Sequence, residues 1–115
     1  MSRANQAIRF LVATKLVKVD MLTGNLKVED PAAEITIKAG GYLTIQTFIN
    51  RRRVRVFVHR IIAYLKYGDA AFDENLEVHH KNLNPKDNHP DNLVLLTKEE
   101  HERIHREIRD ARKSQ

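Results

Sequence analysis

The chain lacks cysteine and tryptophan, and its 115 residues include only four glycines and three prolines. Without cysteine, a disulfide scaffold and a cysteine-ligated structural zinc site are both excluded. No apolar run approaches the roughly 18 residues of a membrane span, and the first residues lack the ordered basic region, apolar segment and cleavage site of a secretory signal. We therefore expect a cytoplasmic protein with no membrane partner, whose core is held by packing.

Negative charge is scarcer than positive charge: 15 acidic side chains against 20 lysines and arginines leave a formal net charge of +5. Such an excess is typical of proteins that bind polyanions. It is confined to residues 1–70, which carry 12 basic and 5 acidic side chains, whereas residues 71–115 carry 8 and 10. Of the six histidines, only His59 precedes residue 79. The basic side chains that can attract phosphate and the histidines that can do imidazole chemistry are therefore concentrated in different segments.

The first part of the chain, residues 1–58, is predicted to be a basic antiparallel β-sheet with hairpins. A Gly24-Asn25 turn between two short apolar segments predicts one small hairpin. Residues 42–49 are rich in β-branched and aromatic side chains, and residues 53–59 alternate strictly between valines and mostly basic side chains. This pattern predicts a second strand pair with one apolar and one basic face.

Helical spacing follows the second strand pair. Apolar residues recur at that spacing until Gly68, so residues 59–75 are predicted as a short helix and a loop. Residues 76–112 are predicted as strand, turn-rich loop, strand and helix, with a capping box that makes Thr97 the N-cap of the last helix. Residues 4–13 fit either a short helix or a strand. The fold class is therefore α+β, and the 115 residues are expected to form a single domain.

Histidines are the candidate chemical groups. His101 and His105 lie four apart on the predicted last helix, a spacing that can chelate a transition-metal ion, although most such pairs lie on solvated faces. The His79-His80 doublet lies on a predicted strand, where neighbouring side chains point to opposite faces. One ring can then complete a metal site while the other handles protons; the alternative is two surface histidines on an edge strand. Asn92 either braces the intervening loop or is an ordinary turn residue.

The spacing of these five residues resembles that of the HNH endonuclease family, whose members carry a ββα-metal motif. Two further segments resemble the same family: Val-His-Arg-Ile-Ile-Ala at residues 58–63 and Asn-His-Pro-Asp-Asn-Leu at residues 88–93. The resemblance covers about residues 42–106 and implies that residues 76–112 form the motif.

The resemblance implies a role for each residue. His79 stands at a metal ligand, where many homing-type members have aspartate, and His80 stands at the general base. Asn92 stands at the residue that orients the base and its loop, and His101 at a ligand on the helix. His105 matches a further ligand of the colicin-like, His-rich branch. One divalent ion is expected, and so many imidazoles favour Zn²⁺, Ni²⁺ or Mn²⁺ over Mg²⁺.

The same resemblance implies metal-dependent hydrolysis of DNA phosphodiesters that leaves 5′-phosphate and 3′-hydroxyl ends. The expected DNA-binding residues are basic side chains on the second strand pair and around the motif: Arg51, Arg52, Arg53, Arg55, Arg60, Lys81 and Lys86. The arginine run has an alternative role as a solvated edge that discourages aggregation between sheets.

The remaining candidates are assigned structural roles. Arg109, Arg112 and Lys113 are interpreted as charges that complement the dipole of the last helix. His59 is expected to support the site from outside the ligand shell, and His89 to be a loop residue. Ile104 and Ile108 are expected to belong to the core.

Two other functions stay open. One is a catalytically silent DNA-binding or accessory module that keeps the HNH fold, and the other is a histidine site that holds metal without DNA. A monomer and a homodimer are both compatible with the sequence. The resemblance leaves homing, phage packaging, restriction and defence open as biological roles, and a phage-encoded protein is one expectation.

Overall fold

The computed structural model describes residues 2–113. In chain order its helices and strands are α1 (Arg3–Ala13), β1 (Val17–Val19), β2 (Leu26–Val28), β3 (Glu34–Ile37), β4 (Leu43–Ile49), β5 (Arg52–Phe57), α2 (Val58–Tyr67), β6 (Leu76–His80), β7 (Leu93–Thr97) and α3 (Lys98–Lys113). Short 3-10 helices occupy Gly68–Phe72 and Pro90–Asn92. No helix within residues 2–113 has the length and apolar character needed to cross a membrane.

The strands form three small antiparallel sheets. β1 pairs with β2, β3–β4–β5 form a three-stranded sheet in that order, and β6 pairs with β7. The core lies between α1, α2 and one face of the three-stranded sheet. Its buried side chains come from all three, with one addition from β1 and one from β7: Ala7, Ile8, Leu11, Val17, Ile45, Val56, Val58, Ile61, Ile62 and Leu93. This mixed architecture confirms the predicted α+β class.

Residues 4–13, which fitted both a helix and a strand, form most of α1. Ser2 caps the helix by accepting a hydrogen bond at 3.1 Å from the backbone N–H of Asn5. Ala7, Ile8 and Leu11 then fall on one helical face, and all three are buried. The helix is therefore stabilised by packing of this face against the sheet and α2.

The two predicted hairpins are both present. β1 and β2 pair around the turn that contains Gly24, as the sequence indicated. β4 and β5 are joined by Asn50 and Arg51, whose φ angles are 51° and 64°. Two successive residues with positive φ give the turn whose twist matches a two-residue hairpin.

The prediction that the strand continues to residue 59 is wrong. β5 ends at Phe57, and α2 begins one residue later. Val58 continues the alternation of the strand, but it also forms a helical i, i+3, i+4 set with Ile61 and Ile62, and these three side chains are almost completely buried. Packing of this helical set against the core favours the helical spacing over the strand alternation. His59 therefore lies on the first turn of α2.

Residues 76–113 form strand, loop, strand and helix with nearly the predicted bounds. In the β6–β7 ladder, His79 pairs with Val94 and His80 with Leu93. The predicted capping box is confirmed at the start of α3: Thr97 accepts from the Glu100 N–H at 3.1 Å, and Glu100 accepts from the Thr97 N–H at 3.0 Å.

Packing of α3 is looser than predicted. Ile104 and Ile108 were expected in the core, but both are only half-buried, and α3 contains no buried residue among Lys98–Lys113. One face of the helix covers β6, and its other faces are exposed. The position of α3 therefore depends strongly on its N-terminal cap.

The first hairpin and α2 both support the loop between β6 and β7. A Cβ on Gly24, whose φ is 78°, would lie 2.9 Å from the backbone of His89, so the turn and the loop approach as closely as glycine permits. The imidazole of His89 also hydrogen-bonds the carbonyl of Leu22 at 2.9 Å. From α2, Lys66 donates to the carbonyls of Pro90 and Leu93 at 2.7 and 3.0 Å.

The capping box gives the first testable prediction. Thr97→Ala leaves the Glu100 N–H without its hydroxyl acceptor, so we expect the free energy of unfolding to fall by about 1 kcal/mol in urea titrations. Thr97→Ser keeps the hydroxyl and serves as the control. Equal stability of the alanine and serine variants would show that the cap does not hold α3.

Candidate functional site

Three imidazoles from two elements converge at one end of the β6–β7 hairpin. His79 projects from β6, and His101 and His105 project from the facing side of α3. Each offers a ring nitrogen, and these nitrogens all lie within 4.8 Å of one another. His79 is buried, His101 half-buried and His105 exposed, so this imidazole cluster opens to the surface on the side of α3.

A carboxylate fixes the orientation of one ring of the imidazole cluster. Nδ1 of His101 donates to Oε2 of Glu77 at 2.6 Å, and because a carboxylate only accepts, the neutral ring keeps its lone pair on Nε2. This Nε2 lies 2.9 Å from Nε2 of His105. Glu77 was not predicted from the sequence, although its position two residues before His79 on a strand places both side chains on the same face.

The protonation state of His79 also suits a ligand. Burial lowers the pKa of this imidazole, and the neighbouring His101, His105 and His80 rings lower it further. A neutral ring presents a lone pair, which is the form that binds a metal ion. Three imidazoles with converging ring nitrogens, one of them oriented by a carboxylate, fit a divalent transition-metal ion.

His80 points to the opposite side of β6 from His79. Its Nε2 lies 2.8 Å from Oδ1 of the buried Asn88, so the neutral ring carries its proton on Nε2 and its lone pair on Nδ1. The ring also packs against the rings of His59 and Tyr42, with centroids 5.2 and 6.1 Å away. Asn88 lies in the Asn-His-Pro-Asp-Asn-Leu segment that resembles the family, but no role was predicted for it from the sequence.

Asn92 spans the loop that Asn88 belongs to. Its amide accepts from the Asn82 N–H at 3.0 Å and donates to the carbonyl of Asp87 at 2.8 Å. Its own carbonyl accepts from the Lys81 N–H at 2.8 Å. Asn92 thus ties both ends of the loop together, and the side chain that touches His80 directly is that of Asn88.

The predicted DNA-binding residues lie in two places. Arg51 and Arg52 lie at the tip of the β4–β5 hairpin, and Arg53 and Arg55 point from the face of β5 opposite the core; all four are exposed. Three others lie closer to the histidines: Arg60, Lys81 and Lys86. Lys81 and Lys86 are exposed in the loop after β6, whereas the half-buried Arg60 donates a hydrogen bond to Asn5.

Two pockets adjoin the imidazole cluster. One, of about 330 Å³, is lined by all three of its rings together with His80 and Arg112. The other, of about 740 Å³, extends along the opposite flank of His101 and is lined by Glu77, Arg60 and His59 among others. His101 lines both, so a chain that occupies either pocket passes next to the cluster.

Comparisons with known proteins point to one family. Residues 56–103 match the family model described as HNH endonuclease. Over 65 residues the chain is 40% identical to the H-N-H endonuclease F-TflI of Escherichia phage T5, an alignment that covers 55% of this chain and 33% of that relative. A solved structure, described as DNA binding and cleavage by the HNH homing endonuclease I-HmuI, matches with a TM-score of 0.56 and 24% identity, over 86% of this chain and 54% of that one. The chain thus spans about a third to a half of the length of these two proteins.

The environment of His59 gives a prediction on stability. The pKa of this imidazole is lowered from its ordinary 6.5 to about 4, mainly by burial and to a smaller extent by the nearby His80 and Arg60. Its buried Nδ1 has no hydrogen-bond partner within residues 2–113, so the protonated ring would not recover its lost hydration. Between these two pKa values the unfolded chain binds more protons than the folded chain, and stability must therefore fall as the pH falls.

We expect this one group to lower the free energy of unfolding by about 3 kcal/mol between neutral pH and about pH 4. His59→Phe removes the titration and keeps a ring of similar size. Urea unfolding at both pH values should show a smaller loss in the variant than in the parent. The same loss in both proteins would contradict the assignment.

Proposed function

Because the chain carries an HNH endonuclease segment at residues 56–103, we propose that it is a metal-dependent DNA endonuclease or nickase that leaves 5′-phosphate and 3′-hydroxyl ends. The observation that carries the proposal is that two neighbouring histidines of β6 point to opposite sides of the strand. His79 joins His101 and His105, with ring nitrogens within 4.8 Å of one another, while His80 turns to the other side. One strand therefore supplies a ligand and a separate base.

His79, His101 and His105 are the proposed ligands of one divalent ion. Imidazole nitrogen suits Zn²⁺ and Ni²⁺, and Mn²⁺ and Mg²⁺ are the harder alternatives. An ion bound by these rings would supply positive charge that stabilises the negative charge developing on the phosphate and on the leaving 3′ oxygen. Glu77 orients His101 and, by accepting from Nδ1, would increase the electron density on the Nε2 that is proposed to bind the ion.

His80 is the proposed general base. Asn88 holds its Nε2 proton, so Nδ1 is the nitrogen that would take a proton from the attacking water. The tie that Asn92 makes across the loop keeps Asn88 in place. In this way Asn92 positions the base through the loop and through Asn88, and it need not touch the base itself.

DNA is the proposed substrate, and the basic hairpin is its proposed platform. The I-HmuI structure is described as showing DNA binding and cleavage. β5 begins at Arg52 and ends at Phe57, whose ring packs against His59 beside His80. The five residue steps of β5 span about 16 Å. Arg52, Arg53 and Arg55 can therefore contact successive phosphates of the DNA backbone at increasing distance from His80.

The proposal predicts the nicking rate of a variant that lacks the proposed general base. His80→Ala removes the proton acceptor, and we expect the rate of supercoiled-plasmid nicking with Mn²⁺ or Mg²⁺ to fall about 10²- to 10⁴-fold. DNA affinity, measured by gel shift, should be unchanged because the arginines remain.

Two other outcomes would count against this function. If the parent nicks with none of Zn²⁺, Ni²⁺, Mn²⁺ or Mg²⁺ but binds DNA, the chain is a silent binding module. If His80→Ala nicks as fast as the parent, the base lies elsewhere.

Metal affinity gives a prediction for Glu77. Glu77→Gln exchanges the charged acceptor of His101 Nδ1 for a neutral amide, and we expect the dissociation constant for Co²⁺ to rise about 10- to 100-fold. The titration is followed by the visible absorption of Co²⁺, which reports on the ligand set directly. Glu74→Gln makes the same charge change outside the imidazole cluster and is the matched control. Equal affinities in the two variants would refute the orienting role of Glu77.

A further inference from the structure

A groove leads away from the imidazole cluster along the C-terminal half of α3. Its inner part is the pocket of about 330 Å³ that the cluster and His80 line, and its outer part is a depression of about 480 Å³. Leu83, His105 and Arg112 line both parts, so the two form one continuous channel on the surface. We call it the α3 groove.

The outer part of the α3 groove is positively charged. Arg109, Arg112 and Lys113 line it together with His105 and two apolar side chains, and none of its lining residues within residues 2–113 is acidic. This local charge is opposite to that of the segment as a whole, because residues 71–115 carry 8 basic and 10 acidic side chains. Positively charged side chains therefore cluster in the α3 groove, although the segment around it carries more acidic than basic residues.

Helix geometry explains how Arg112 reaches the histidines. Residues 101, 105, 108 and 112 follow one another at intervals of three or four, so their side chains share a face of α3. The Cα–Cβ bonds of a helix tilt toward its N-terminus, and Arg112 thus extends back toward His105. Interaction with the helix dipole requires positive charge in the last turn, but it does not require that the charge should line the pocket of the imidazole cluster.

The opposite wall of the α3 groove includes Leu83, which is hydrogen-bonded to the end of β6. Leu83 has a φ of 63°, a left-handed conformation that L-residues with large side chains rarely adopt. Its N–H donates to the carbonyl of His80 at 2.9 Å, which fixes this wall to the strand of the proposed base. Held strain of this kind concentrates at sites where a ligand is positioned.

We propose that the α3 groove holds the phosphates of the DNA strand next to the cleavage position, with Arg112 on the phosphate nearest the imidazole cluster and Arg109 and Lys113 on those beyond it. This inference rests on the proposed function for the identity of its ligand. From His105 to Arg112 the helix rises about 10 Å, which equals the axial rise of about three nucleotides of one strand in a duplex. Arg112 thereby changes from a helix-end charge to a substrate-binding residue.

The test is the salt dependence of DNA binding by the full chain. Binding of a short duplex is measured by fluorescence anisotropy between 50 and 250 mM KCl, with Mn²⁺ present and in the His80→Ala background so that the DNA is not consumed. Loss of one phosphate contact lowers the slope of log K against log salt by about 0.9. We expect this change for Arg112→Gln, and about twice the change for the Arg109→Gln/Arg112→Gln double variant. A slope lower by 0.9 also means about an eightfold loss of affinity at 0.1 M salt.

Two controls separate a specific contact from net charge. Arg103→Gln removes the same charge from the opposite face of α3 and should leave the slope unchanged, whereas Arg112→Lys keeps the charge and should restore it. The proposal is overturned if Arg112→Gln leaves the slope unchanged, if Arg103→Gln lowers it equally, or if the parent does not bind the duplex. Failure of the proposed function would appear separately, as absence of plasmid nicking by the wild-type chain with every metal.

Discussion

The alternation of side chains along β6 is the constraint on which the site depends. A strand directs consecutive residues to opposite faces, and here that rule sends His79 toward α3 and His80 toward Asn88. If the pairing of β6 with β7 slipped by one residue, the two rings would exchange sides and neither would meet its partners. The ladder of His79 with Val94 and of His80 with the fully buried Leu93 makes such a slip costly.

Each face of β6 has its own supports. On the side of His79, the capping box at Thr97 sets where α3 begins, and Glu77 orients the first histidine of the helix. On the side of His80, α2 and the first hairpin hold the loop from outside, and Asn92 ties it from within. Elements outside the imidazole cluster thus restrain both the first turn of α3 and the loop between β6 and β7, which pack little against the core.

The sequence predicted those parts of the structure that local patterns determine. Short apolar segments, a turn-rich loop and the capping box predicted the strand, loop, strand and helix of residues 76–112, because each feature lies within one element or at its end. The end of β5 was predicted two residues late, since Val58 fits both a strand and a helix, and only burial with Ile61 and Ile62 decides between them. The choice of a helix for residues 4–13 likewise depends on packing.

Residues whose roles depend on distant contacts escaped prediction. Asn88 reaches His80 only because the loop follows one particular path, which Gly24 and Lys66 support from other elements. From the sequence, Arg112 is an ordinary charge at the end of a helix. Only the fold shows that Leu83 approaches α3 and that both residues line the same groove. The pairing of Glu77 with His101 was within reach of strand periodicity, but it required knowledge of which face of α3 meets β6.

The most direct measurement is the anomalous diffraction of crystals grown with Zn²⁺ or Mn²⁺. We expect one strong peak, about 2.0–2.2 Å from a ring nitrogen of each of His79, His101 and His105, with His80 outside its ligand shell. A peak coordinated by His80, or crystals in millimolar metal that show no peak between β6 and α3, would contradict it.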